Sequence, residues 1–167
     1  PLEGECDETV STPSFPYGCA VCEVEVDPET GVVEVVRYTS VDDVGRAINP
    51  LIVDGQTHGG IVQGLGQALW EHCRYDAVTG QLQSGSFMDY AMPRADDIPD
   101  LVCHFDESTP SPLNVLGAKG AGESGTHGAV PAVVNAVIDA LGELGIREIE
   151  MPITREKVWR AIRAARA

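Results

Sequence analysis

Apolar and polar residues alternate along two neighbouring stretches near the start of the chain. The alternation covers residues 20–26 and 32–41, and the segment between them opens with Asp27-Pro28 and ends in Gly31. Alternation with a period of two places one set of side chains on a buried strand face. Proline followed by glycine is typical of a turn between strands. The pattern therefore predicts a β-hairpin over residues 17–41.

Two later segments show the spacing of amphipathic helices. The first covers about residues 51–72, and the second runs from about 128 to 144 with valine, isoleucine and leucine on one face. Pro131 fits the second helix only in its first turn, and Thr154 can cap a final helix. Weaker patterns predict a hairpin around residues 74–80 and strands at 99–105 and 148–151. Without a strict βαβ alternation, these elements predict an α+β fold for residues 17–167, after an irregular N-terminal segment over residues 1–16.

The first predicted helix is unusually rich in glycine, and each glycine in a helix costs about 1 kcal/mol relative to alanine. The glycines are explained if another backbone or a bulky ligand lies against this helix. Gln56, Gly60, Gln63 and Gln67 share one face. Their amides could bind a polar heterocycle, or they could simply hydrogen-bond to neighbouring loops. Spacing alone leaves both interpretations open.

Composition and charge exclude some partners. The chain has 167 residues and a formal net charge of −15, which argues against binding to nucleic acid or to an anionic membrane surface. No apolar run approaches the roughly 20 residues of a transmembrane helix. Five scattered cysteines form no complete disulfide framework. We therefore expect free thiols in a cytoplasmic protein.

Cysteine and histidine positions do not predict a metal site. Cys19-x-x-Cys22 lies in the first predicted strand, where residues three apart face opposite sides of the sheet. A thioredoxin-like pair would instead open a helix, and no second such pair completes a zinc site. The four histidines show no metal-ligand spacing. We therefore expect no metal ligands among these residues.

The strongest chemical signal is the glycine-rich loop Gly117-Ala-Lys-Gly-Ala-Gly-Glu-Ser-Gly125, which leads into the second helix. Its spacing matches the phosphate-binding pattern G-x-x-x-x-G-K-S except that Glu123 replaces the lysine. A carboxylate there would repel a nucleotide phosphate, and Lys119 stands at the wrong place to compensate. Glycines let the loop backbone approach a ligand closely. The loop is therefore interpreted as one that positions a carboxylate.

Several ordered blocks of the sequence resemble a known family. They include Val41-Asp-Asp-Val-Gly-Arg-Ala-Ile-Asn-Pro50, the segment from Asp54 to Glu71 with its Val-Gln-Gly, Met88-Asp-Tyr-Ala-Met-Pro93 and the glycine-rich loop. Together they resemble the C-terminal region of the molybdenum-binding large subunit of the xanthine dehydrogenase family, in particular that of aerobic carbon monoxide dehydrogenase-type enzymes. The resemblance covers about residues 15–165. It implies the C-terminal portion of a molybdopterin-binding domain, with hairpins packed against a glycine-rich helix and a buried apolar helix.

The resemblance also implies a cofactor and roles for particular residues. Enzymes of this family hold molybdenum on molybdopterin cytosine dinucleotide and pass electrons through 2Fe–2S clusters to FAD on partner subunits. Glu123 matches the glutamate that acts as general base beside the metal. Gln63 and Gln56 match a cofactor-contacting segment, and Lys119, Gly120, Ala121 and Gly122 match the backbone along the metal end of the cofactor. The alternative is that Glu123 has no catalytic role and only stabilises the first turn of its helix.

The implied partners are the remainder of the large subunit, a flavin-binding medium subunit and an iron–sulfur small subunit. The implied small-molecule substrate is carbon monoxide, an aldehyde or an aromatic heterocycle, oxidised with water as the oxygen source. No cysteine in the chain matches the copper-binding cysteine of carbon monoxide dehydrogenases. The alternative function is a non-catalytic module of the same fold that handles or assembles the cofactor. A face of the glycine-rich helix that normally contacts a partner would favour self-association.

Overall fold

The computed structural model describes residues 2–5, 7, 9 and 12–167. The predicted hairpin is confirmed: strands β1 (Tyr17–Val26) and β2 (Val33–Asp43) pair antiparallel, with an irregularity between Glu23 and Val24. The Asp27 carboxylate builds the turn by accepting hydrogen bonds from the Glu29 amide at 2.8 Å and the Thr30 hydroxyl. The hairpin therefore forms where both the alternation and the turn chemistry predict it.

A third strand and a long helix extend this hairpin. Strand β3 (Leu101–Phe105) pairs in parallel with β2, which gives a sheet of order β1-β2-β3. Helix α1 (Pro50–Leu69) lies between β2 and β3 in the chain and begins where the Asn49 side chain accepts a hydrogen bond from the Ile52 amide. Both elements were predicted. No helix in the described ranges is both long and apolar enough to span a bilayer.

Helices α2 (Ser124–Ala140) and α3 (Arg155–Ala165) complete the fold, with two short 3₁₀ turns, Ala95–Asp97 and Gly142–Leu144. Thr154 caps α3 as predicted, because its side chain accepts from the Lys157 amide. Helix α2 begins four residues before the predicted position, at Ser124 rather than residue 128. Pro131 is consequently the eighth residue of α2 and not part of its first turn. Since proline has no N–H, it cannot donate the bond that its position would make to an earlier carbonyl.

Two predicted β elements differ from the structure. Residues 148–151 form no strand, and the second hairpin is reduced to an isolated bridge between Tyr75 and Leu82. The half-buried Ile149 packs against the core, and the Ile153 amide donates to the Ala68 carbonyl of α1 at 2.6 Å. The apolar spacing of the 148–151 segment therefore reflects packing over the core rather than pairing with a neighbouring strand.

The core lies between the sheet and the helices. Helix α2 packs on β1 and α1, and α1 also contacts β3. Fully buried side chains come from the sheet, the helices and the connecting segments, and include Tyr38, Val44, Thr57, Ile61, Leu65, Leu69, Val133, Val137, Ile153, Val158 and Ile162. The two helices that flank the glycine-rich loop, α1 and α2, are therefore fixed to each other and to the sheet.

Glycine allows α1 and α2 to approach closely. A Cβ atom added at Gly64 would lie 2.6 Å from the Ala129 Cβ, and one at Gly125 would collide with the Thr57 carbonyl. The expectation that another backbone lies against α1 is confirmed at these positions. Gly59 is different, because an added Cβ there would meet nothing within 4 Å.

These two kinds of glycine predict opposite effects of alanine. Gly59→Ala should raise the free energy of unfolding by up to about 1 kcal/mol, since it improves helix propensity without a clash. Gly64→Ala should lower it by about 1–3 kcal/mol, since it forces the helices apart. Urea denaturation of both variants measures the difference. Equal shifts in the same direction would contradict this account of the helix contact.

Candidate functional site

The glycine-rich loop is held against the end of β2 by main-chain hydrogen bonds. The Arg46 amide donates to the Gly117 carbonyl at 2.9 Å, and the Lys119 amide donates to the Val44 carbonyl at 2.9 Å. Gly45 and Ala118 form an isolated antiparallel bridge. The segment after β2 therefore acts as a template that fixes the first half of the loop.

An ion pair reinforces this attachment. The Lys119 ammonium lies 2.6 Å from the Asp43 carboxylate, and these side chains are only 14% and 15% exposed. Asp43 also accepts a hydrogen bond from the Gly45 amide at 2.8 Å. The Lys119 hydrogen bond is the main cause that lowers the Asp43 pKa, followed by the Gly45 amide. Since its charge is already paired, Lys119 serves the loop mainly as an anchor.

This ion pair predicts a pH-dependent contribution to stability. Because the folded-state pKa of Asp43 lies below its unfolded value, the pair stabilises the fold above the unfolded pKa of about 4 and loses its effect as pH falls through the folded value. Asp43→Asn should therefore be less stable than the parent near neutral pH. The difference should vanish in acid. Denaturant unfolding at a series of pH values measures it, and a difference independent of pH would contradict the role of the charge.

Gln56 joins α1 to the far end of the loop. Its side-chain amide donates to the Gly122 carbonyl at 2.7 Å. The structure thus brings together two predicted site residues that are 66 positions apart in the sequence. Gln56 thus makes the contact with a neighbouring loop that one of the two interpretations of its amide expects. Its side-chain oxygen remains a potential acceptor.

Gln63 lies about two turns further along α1 and is exposed. Within the described ranges its amide makes no hydrogen bond. The backbone amides of Ala121, Gly122 and Glu123 likewise have no acceptor among the described residues, whereas the Gly120 amide donates to the Ser14 carbonyl at 3.3 Å. The end of the loop and the side chain of Gln63 therefore present free polar groups. Such groups suit a ligand with phosphate or polar heterocyclic acceptors.

Glu123 occupies the position just before α2, and its side chain accepts no capping hydrogen bond. The carboxylate is 83% exposed, and the His127 imidazole Nε2 lies 4.0 Å from its Oε2. The carboxylate is therefore available to a ligand beside the loop.

The sequence reasoning missed several residues that organise this site. Asp43 anchors Lys119, His127 lies beside Glu123, and the Thr126 hydroxyl donates to the Gly60 carbonyl at 3.0 Å. Only the acidic pair Asp42-Asp43, just before Val44-Gly45, offered a sequence signal, and its partner could not be identified from spacing.

The cysteines and the other potential metal ligands form no additional site in the part of the chain that is described. No group of three or more His, Cys, Asp or Glu side chains there is placed to hold a metal ion. Cys19 is exposed, whereas burial and the neighbouring Glu23 raise the pKa of Cys22 to about 11. Cys6 lies outside the described residues. Cys22 is therefore an unreactive thiol packed against the core.

Comparison with known proteins finds consistent relatives. The family model of the molybdopterin cofactor-binding domain matches residues 3–99. The carbon monoxide dehydrogenase large chain of Hydrogenophaga pseudoflava is 37% identical over 90% of this chain and 18% of its own length. The nicotine 6-hydroxylase large subunit of Paenarthrobacter nicotinovorans is 47% identical over 90% of this chain and 18% of its own.

A solved structure agrees with these sequence matches. The crystal structure of a Cu,Mo-CO dehydrogenase in its carbon monoxide reduced state superposes with a TM-score of 0.85 and 37% identity, covering 90% of this chain and 19% of that one. The α+β fold expected from the sequence is thereby confirmed. The chain spans less than one fifth of the length of these relatives.

Proposed function

Since the chain belongs to the molybdopterin cofactor-binding domain family, we propose that it supplies one wall of the cofactor site and the general base of a molybdenum hydroxylase large subunit. The observation that carries the proposal is the hydrogen bond from Gln56 to the Gly122 carbonyl, at 2.7 Å. It joins two segments that match cofactor-contacting segments of the family, and Glu123 lies exposed next to Gly122. The relatives are molybdenum-dependent oxidoreductases or their subunits.

The free polar groups fit such a cofactor. The amides of Ala121 and Gly122 and the side chain of Gln63 would hold its polar edge, and Gln56 would keep the loop in place. A Cβ at Gly122 would meet nothing within 4 Å, so this part of the loop is open to a ligand. When bound, molybdopterin cytosine dinucleotide with molybdenum would take up the two electrons lost by the substrate. FAD and 2Fe–2S clusters on the medium and small partner subunits would carry them onward.

Glu123 would act as the base in this reaction. Oxidation with water as the oxygen source adds one oxygen atom to the substrate and releases two electrons and two protons. The Glu123 carboxylate would accept one of these protons. It is exposed at the start of α2, beside the loop amides proposed to hold the cofactor. The remainder of the large subunit would cover the site and exclude water.

The substrate is a small molecule: carbon monoxide, an aldehyde or an aromatic heterocycle. The identity of 47% with a nicotine hydroxylase, against 37% with a carbon monoxide dehydrogenase, makes an aromatic heterocycle the first class to test. The free thiols at Cys19, Cys22, Cys73 and Cys103 suit an enzyme of the cytoplasm.

The test is reconstitution of the complete enzyme. The full-length large subunit would be co-expressed with flavin and iron–sulfur subunits in a host that makes the cofactor, and the three substrate classes would be assayed with an artificial electron acceptor. Turnover of one class with about one molybdenum per large subunit supports the proposal. Molybdenum without turnover of any class would favour the alternative, a non-catalytic cofactor-handling or assembly module.

A further inference from the structure

A pocket of about 250 Å³ lies beneath the first turn of α2, between that helix and the hairpin. Gly18 from β1, Tyr38, Ser40 and Asp42 from β2, and Ser124 and His127 from α2 line it. Polar side chains therefore line both sides of the pocket, beside apolar groups such as Pro16 and Ala20. One lining residue, Ser124, directly follows Glu123 in the sequence.

The Tyr38 hydroxyl faces this pocket without a partner. Tyr38 is fully buried, and among the described residues its hydroxyl has no hydrogen-bond acceptor or donor. A Cβ added at Gly128 would lie 3.7 Å from this oxygen, which places the hydroxyl beside the first turns of α2. Burial raises the Tyr38 pKa, and the nearby Cys22, Asp42 and Cys103 add to the effect. A neutral buried hydroxyl costs free energy unless it is hydrogen-bonded, so this geometry calls for a polar occupant.

Asp42 is the buried acid of the same pocket. It is only 7% exposed, and its carboxylate accepts a hydrogen bond from the Ser40 hydroxyl at 3.1 Å. The carboxylate also lies against Gly18, where there is no room for a Cβ atom. Burial raises the Asp42 pKa, and the Ser40 hydrogen bond offsets this in part. Such a carboxyl group binds a proton more readily than an exposed one.

His127 connects this pocket to Glu123. Its imidazole lines the pocket, and its Nε2 lies 4.0 Å from the Glu123 carboxylate. An imidazole can accept a proton at one nitrogen and release one from the other. The titratable groups around Asp42 are Tyr17 and Cys19 on β1, Tyr38 on β2, Cys103 on β3 and His127 on α2.

We propose that the pocket holds water and carries the proton from Glu123, through His127, to Asp42. The inference rests on the proposed function, since Glu123 must first have accepted a proton. The proton leaves Glu123 Oε2 and reaches His127 Nε2, 4.0 Å away, through a bridging water, and the imidazole releases its Nδ1 proton to a pocket water. That water passes a proton to the Asp42 carboxylate, which later releases it to solvent. No electron moves. Glu123 and Asp42 return to their starting states, and the imidazole, left protonated at Nε2, regains its first tautomer by exchanging protons with water.

The volume and the lining suit this role. A water molecule occupies about 30 Å³ in the liquid, so the pocket accommodates several. The Tyr38 hydroxyl donates to one of them, and the carboxylate of Asp42 accepts from another. A chain of this kind empties the base between turnovers without opening the cofactor site to bulk solvent.

The functional test uses the complete, cofactor-loaded enzyme. His127→Gln and Asp42→Asn should each lower kcat by about 10- to 100-fold, less than a typical loss of the base itself because water can partly substitute. KM and molybdenum content should stay unchanged, and added imidazole should restore part of the turnover of His127→Gln. Asp139→Asn, at the exposed far end of α2, is the matched control with full turnover. Normal kcat in His127→Gln would overturn the relay. Because His127 is exposed, this variant should fold, and its kcat tests the relay even if Asp42→Asn fails to fold.

A structural measurement is independent of activity. A crystal structure of the 167-residue chain should show water within hydrogen-bonding distance of the Tyr38 hydroxyl, and Tyr38→Phe should lower the melting temperature. A dry pocket, or a higher melting temperature in Tyr38→Phe, would overturn the proposal. Failure of the proposed function looks different, because then Glu123→Gln itself would retain turnover. If Glu123→Gln is inactive while His127→Gln and Asp42→Asn keep full activity, the relay is refuted and the proposed function stands.

Discussion

Glu123→Gln is expected to lower turnover of the complete enzyme by about 10²–10⁴-fold while molybdenum content stays normal. Glutamine keeps the size of the side chain and much of its hydrogen bonding, but its amide cannot accept the proton. The Glu123 carboxylate makes no capping hydrogen bond and is 83% exposed in the chain, so its loss should not unfold α2. Steady-state kinetics with parallel molybdenum analysis measures the effect.

Glu143→Gln is the matched control for this variant. Glu143 is exposed in the Gly142–Leu144 turn that follows α2, and the change also removes one negative charge. It should leave turnover near normal. Near-normal turnover in Glu123→Gln with the cofactor bound would refute the catalytic role. Loss of the cofactor in Glu123→Gln would instead make Glu123 a structural residue of the loop.

The elements that sequence predicted well are those in which local chemistry and periodicity agree. The β1–β2 hairpin combines alternation with a turn that Asp27 closes, and both are local properties of the chain. The start of α2 was missed because Ser124-Gly-Thr-His-Gly128 contains no apolar residue, so periodicity begins only at Ala129. This turn is helical because it packs on α1, where the Thr126 hydroxyl donates to the Gly60 carbonyl.

The candidate site was likewise predicted only where its residues are consecutive in the sequence. The glycine-rich loop and Glu123 stand out in the sequence because their residues are consecutive. The Asp43–Lys119 pair joins positions 76 residues apart, and nothing in local spacing links them. The pocket of Tyr38, Asp42 and His127 depends on how α2 sits over the sheet. Tertiary contacts of this kind place the groups that tune a site, and no pattern along the chain encodes them.

The 167-residue chain alone is expected to retain almost no molybdenum cofactor and to turn over no substrate. Gln63 and Gly122, proposed to hold the cofactor, and Glu123, proposed as the base beside it, are exposed in this structure. Tightly held ligands usually have about 70–90% of their surface buried. The relatives are more than five times as long as the part that this chain matches, since that part is 18% of their length. This chain supplies only one wall of the proposed cofactor site, so it should not retain the cofactor.

Metal analysis after purification from a cofactor-producing host measures this. The isolated chain should contain far less than one molybdenum per molecule, whereas the full-length large subunit from the same host should approach one. A Gln56→Ala variant of the full-length subunit sharpens the comparison, because it removes the 2.7 Å bond that fixes Gly122 and should lower molybdenum content. Stoichiometric molybdenum in the isolated chain would show that the Gln56–Gly122 wall binds the cofactor without the covering segments, and it would refute this prediction.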